Sequence, residues 1–76
     1  MRLLIVEDEK ELCDTISKSL YESGYEVDTC YDGHEALDYI LTEDYDLIVL
    51  DLNLPGMDGM DILRELRKEN EETKVL

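Results

Sequence analysis

Two short apolar runs constrain this chain more than any other feature. Residues 2–6 read RLLIV, and LIVL sits inside the stretch YDLIVLDL at 45–52. Neither run alternates with polar residues, which is the pattern of a strand covered on both faces. Strands covered on both faces belong to parallel sheets, whose crossovers are helices packed against the sheet. The segments between the runs fit that scheme. After Asp8, residues Leu12, Ile16 and Leu20 recur four apart with Cys13 beside them, and Gly24 ends the pattern. YEVDTCY at 25–31 alternates, with charge on one side, and reads as an edge strand. Asp32 then precedes a second apolar stripe of Ala36, Leu37, Ile40 and Leu41. Asp58 precedes a third, with Ile62, Leu63 and Leu66 inward and Arg64, Arg67 and Lys68 toward the end that favours cations. TKVL at 73–76 reads as the start of a fourth strand.

The element order is therefore β-α-β-α-β-α-β. Asp8 with Glu11, and Asp32 with Glu35, have the three-residue spacing of a capping box. The charged second strand belongs at an edge and the two apolar strands inside, giving the spatial order 2-1-3. Right-handed crossovers place the first helix on one face and the other two on the opposite face. In the truncated sheet the third strand becomes an edge with no Lys or Pro to guard it, so self-association as a homodimer is expected.

Composition narrows the function. Seven Lys and Arg against 21 Asp and Glu leave a formal net charge of -14 among 76 residues. That repels nucleic acid and anionic membrane, so no direct binding of this segment to either is expected. No apolar run approaches the roughly 20 residues that span a bilayer, and the N-terminus lacks the form of a signal peptide. Cys13 and Cys30 are isolated. They read as reduced structural thiols of a cytoplasmic protein. His34, the one histidine, is not spaced to join them in a zinc site.

The chemistry lies at the strand ends. In an open parallel sheet all strand C-termini share one rim, and ligands bind where the strand order reverses. Here that point falls between the first and third strands, which end in Glu7–Asp8 and in Asp51. An interior charge costs several kcal/mol unless it is paired, solvated or used. Three converging carboxylates would raise one another's pKa values, and a hard divalent cation removes the conflict. Mg²⁺ suits one or two carboxylates, a carbonyl, waters and a phosphate. The backbone carbonyl of Asn53 could turn inward, in a turn set by Pro55 and Gly56. A carboxylate beside such a cation can act as a nucleophile toward phosphorus. A calcium loop starting at Asp51 fails, since its fifth and twelfth places are Pro55 and Ile62. An aspartyl phosphatase of D-x-D type fails because Asn53 replaces the second Asp. Asp58 and Gly59 read as a helix start rather than as ligands.

Three stretches together, LLIVEDE, YDGHEAL and DLIVLDLNLPGMDGMDILRELR, resemble the receiver domain of bacterial two-component response regulators. Asp51, Pro55, Asp58 and Gly59 stand at that family's spacing, and the resemblance covers residues 1–76. It implies a flavodoxin-like α/β fold, a doubly wound parallel sheet that is incomplete here. It implies that Asp51 is the phosphorylation site and Asp8 a direct Mg²⁺ ligand. Glu7 would act through water, and Asn53 would ligate through its carbonyl. The phosphodonor would be a sensor histidine kinase or a small phosphate anhydride. The domain is then a truncated receiver, without the rest of the fourth strand, the later elements or a DNA-binding output domain. The family's Ser or Thr after strand four and its Lys after strand five, which contact the phosphoryl group, are absent. Impaired phosphorylation is expected. The rival reading is a non-enzymatic interaction module that keeps the fold and is never phosphorylated.

Overall fold

The computed structural model describes residues 1–51, 54, 57–69 and 73–76. Its elements are β1 (Arg2–Val6), α1 (Lys10–Glu22), β2 (Glu26–Cys30), α2 (Gly33–Thr42), β3 (Leu47–Leu50), α3 (Gly59–Glu69) and β4 (Lys74–Val75). The strands form one parallel sheet in the order β2-β1-β3-β4. The charged strand β2 is an edge, as its alternation predicts. The third strand is not an edge, which corrects the expectation above. Residues 74–76 already pair with it: Leu76 N–H donates to Ile48 O at 2.9 Å, and Leu50 N–H donates to Leu76 O at 3.0 Å.

Side-chain alternation divides the core between the two faces of the sheet. Leu4, Val6, Cys30, Ile48 and Leu50 point to one face and pack with Ala36 and Ile40 of α2 and Ile62 and Leu66 of α3. Leu3 and Ile5 point to the other, where α1 packs over β1 and β2. Leu47 and Val49 share that second face through their pairing with Leu3 and Ile5, but they are only half-buried. Two members of the expected stripes are exposed: Leu12 at 42% and Leu41 at 51%. Cys13 fills the centre of the α1 contact instead and is fully buried.

The helix ends show why these segments stop where they do. At the end of α1, Tyr25 N–H donates to Leu20 O and Gly24 N–H to Tyr21 O. This paired reversal needs a left-handed residue, which Gly24 supplies at φ 97°. Asp32 caps α2, its side chain accepting from Glu35 N–H at 2.9 Å. Asp58 Oδ1 accepts from Met60 N–H at 2.8 Å at the start of α3. The expected cap at Asp8 is not made. The residue in the cap position of α1 is Glu9, without a side-chain cap bond.

The N-terminal rim is tied shut by polar contacts. Arg2 N–H donates to Asp46 Oδ2 at 2.7 Å, and its guanidinium reaches Asp28 at 3.0 Å and Glu43 at 3.2 Å. The Tyr45 hydroxyl donates to Asp28 Oδ2 at 2.7 Å, and Arg2 lies 5.1 Å above the Tyr45 ring. These contacts join β1, β2 and the segment entering β3 at one end of the sheet.

Candidate metal centre

The opposite rim carries the carboxylates. Glu7 and Asp8 follow β1 directly, and Asp51 follows β3. The sheet sets their relative height. Glu7 N–H donates to Cys30 O at 3.1 Å, continuing the β1–β2 ladder, and Asp51 N–H donates to Val6 O at 3.0 Å, continuing the β1–β3 ladder. Each of the three side chains thus offers an oxygen, and no two of these oxygens lie more than 4.8 Å apart. Glu7 and Asp51 are half-buried and Asp8 is exposed.

The electrostatics follow from this packing. Burial pushes the Glu7 carboxyl above its ordinary range, and the charges of Asp51 and Asp8 push the same way. The Glu9 N–H, which donates to Glu7 Oε1 at 3.2 Å, opposes the shift. A hard dication suits this donor set. Opposite ligands in an octahedral Mg²⁺ shell lie about 4.2 Å apart, twice the metal–oxygen distance. Oxygens gathered within 4.8 Å are therefore close enough to bind it directly or through one water.

Of the sequence-predicted residues, Glu7, Asp8 and Asp51 come together. Asn53, with Pro55 and Gly56, lies outside the described residues. Asp58 starts a helix, as expected, and His34 is exposed. Two features of the neighbourhood carry no local sequence signal. The Lys10 ammonium sits 5.3 Å from the centre of the Tyr31 ring, and the first turn of α2 lies against Met57 at Gly33. Both are contacts between elements, which spacing along one element does not encode.

The family model for the response regulator receiver domain matches residues 3–76. The chain belongs to the response regulator receiver domain family. The transcriptional regulatory protein DltR of Streptococcus agalactiae is 45% identical over 76 residues, all of this chain and 34% of that protein. The receiver chain thus spans about a third of that relative's length. Among solved structures, the Thermotoga maritima response regulator TrrA in complex with Mg²⁺–BeF aligns at TM-score 0.90 and 38% identity, covering 97% of this chain and 64% of that one. The same regulator in complex with the histidine kinase ThkA aligns at TM-score 0.88 with the same identity and coverage. Receiver domains are signalling modules, and they generally bind Mg²⁺ at an acidic site. Among the described residues, no helix is long and apolar enough to cross a membrane.

Proposed function

We propose that this chain is the phosphoacceptor part of a response regulator and takes a phosphoryl group on Asp51 from a sensor histidine kinase. The supporting observation is the convergence of Glu7, Asp8 and Asp51 at the switch-point rim. An Asp51 carboxylate oxygen forms a bond to phosphorus as the bond from phosphorus to the donor's histidine nitrogen breaks. That nitrogen keeps the electron pair and takes up a proton. Mg²⁺ held by Glu7, Asp8 and Asp51, with the Asn53 carbonyl, would supply positive charge against the phosphoryl oxygens. The chain's own part is to fix Asp51 through the β1–β3 ladder and to gather the ligands beside it. TrrA, similar to this chain, has been solved with Mg²⁺–BeF and with a histidine kinase, which supports both partners.

The reading extends to the parent protein. The receiver is read as cytoplasmic, and the chain spans about a third of the length of DltR. A DNA-binding output domain in the parent would make it a transcription regulator, in keeping with the name of DltR. The 76-residue chain also self-associates, the side chains of β3 that α1 leaves half-buried supplying the contact.

The test is phosphorylation by acetyl phosphate with Mg²⁺, read by intact mass. Addition of one phosphoryl group is expected, abolished by Asp51→Asn and by chelation. Modification that persists in Asp51→Asn would refute the assignment.

A further inference from the structure

We infer that Tyr31 is a positioning residue for the metal centre: its ring holds the Lys10 ammonium away from Glu7, Asp8 and Asp51 and so leaves those carboxylates open to a metal cation. The inference rests on the reading of the three acids as a Mg²⁺ site.

Lys10 is the cation nearest to that cluster along the chain, two residues after Asp8 and three after Glu7. It is also the first residue of α1, at the end of a helix where the macrodipole disfavours positive charge. An ammonium on a flexible stem in that place has ready partners in carboxylates gathered within 4.8 Å of one another. Yet Lys10 joins none of the ion pairs among the described residues. Its ammonium lies over the Tyr31 ring instead, 5.3 Å from the centroid, within the range of a cation–π contact.

The ring is placed for this from two sides. Tyr31 directly follows Cys30, whose carbonyl accepts from Glu7 N–H at 3.1 Å, so Tyr31 stands at the same rim as the carboxylates. Its hydroxyl makes a long hydrogen bond to Asp14 Oδ1, at 3.4 Å. Asp14 lies one helical turn beyond Lys10 on the same side of α1. Without the ring the ammonium has two places to go. Asp14 is one, but a basic residue ahead of an acidic one at this spacing is the weaker arrangement on a helix. The three carboxylates are the other, and they carry more charge. An ammonium paired there removes negative potential and takes up oxygens that Mg²⁺ needs. An exposed ion pair is weak, so the competition costs a few-fold in affinity rather than all of it.

The experiment measures Mg²⁺ affinity of the 76-residue chain at low salt by amide NMR titration, with circular dichroism to follow folding. Wild type, Tyr31→Phe, Tyr31→Leu, Lys10→Gln and the Tyr31→Leu/Lys10→Gln double variant are compared. Tyr31→Phe keeps the ring and should bind like wild type. Tyr31→Leu should bind about two- to fivefold more weakly, and the ring-current shift of the Lys10 side-chain methylenes should vanish even without metal. Adding Lys10→Gln to Tyr31→Leu should restore the affinity, a rescue that a merely structural role of Tyr31 does not give. Unchanged affinity in Tyr31→Leu, or a double variant as weak as Tyr31→Leu alone, overturns the inference while leaving the metal site standing. A wild type that does not bind Mg²⁺ overturns the reading beneath it and the inference with it. If Tyr31→Leu does not fold, Tyr31→Met, whose side chain adapts to irregular gaps, takes its place with the same expected result and the same refutation.

Discussion

Glu7 is held in the fold against its own charge. Its carboxyl is pushed up first by burial and then by Asp51 and Asp8. A raised carboxyl pKa means that the ionised form at neutral pH costs stability, a cost relieved as pH falls and the group protonates. Glu7→Gln keeps a carbonyl for the Glu9 N–H and removes the charge. It should raise the metal-free melting temperature by a few degrees while weakening Mg²⁺ binding, both read by thermal melts with and without the metal. A lower metal-free melting temperature would show that the Glu7 charge is not a net burden. Cys30 gives a second test at this scale. It is fully buried, and burial with the Glu35 charge pushes its thiol from 9.0 up to about 12. The sign is that of a group raised in the fold. Its contribution is complete below pH 9.0 and is lost as pH climbs toward about 12. Cys30→Ala removes that loss. Urea midpoints should show the gap between wild type and variant narrowing across this window, and a constant gap would mean the thiol is not coupled to folding.

At the scale of elements, most of the fold is legible because the signals are local and redundant. The apolar runs of β1 and β3 and the alternating charges of β2 specify which strand is interior and which is an edge. Cap spacing identified Asp32 correctly, and its carboxylate accepts from Glu35 N–H. The same spacing misled at Asp8. There Glu7 Oε1 closes the turn by accepting from Glu9 N–H, and the helix begins at Lys10. A three-residue interval of acids cannot distinguish a cap from a strand-end carboxylate followed by an acidic first turn. The carboxylate cluster was legible for a different reason. Strand ends in a parallel sheet must share a rim, so three acids at the ends of two neighbouring strands must meet. The Gly33–Met57 contact was not legible, since it joins two elements through backbone atoms. The caps make a direct prediction. Asp32→Ala should cost about 1 kcal/mol in urea unfolding. Gly24→Ala should cost about as much, because alanine must take a left-handed backbone at φ 97°. A loss well below this at Asp32 would mean that water replaces the cap without penalty.

For the whole molecule, two opposing terms set the state in solution. One is charge, -14 on 76 residues, which repels a second copy. The other is apolar surface that a single chain leaves open. α1 covers β1 and β2, but Leu47 and Val49 of β3 are half-buried on that face, and Leu12 of α1 is 42% exposed. Beyond the short strand β4, Met60 and Leu76 are 52% and 75% exposed. Each large apolar side chain buried again contributes about 1.5–3 kcal/mol, so a few of them outweigh the marginal stability of so small a domain. A twofold dimer satisfies such a surface most simply. The edge differs from the one the sequence suggested: β4 covers β3 and places the exposed Lys74 there, which guards against open-ended pairing. Association should therefore stop at a small closed species. The repulsion is long-ranged and the apolar contact is not. Added salt shortens the screening length to about 10 Å at 0.1 M and removes the opposing term alone. Light scattering across protein concentration and salt should show a monomer at low salt giving way to a dimer as salt rises. A monomer that persists at high salt and high concentration would mean that the open face of β3 is too small to hold a second copy.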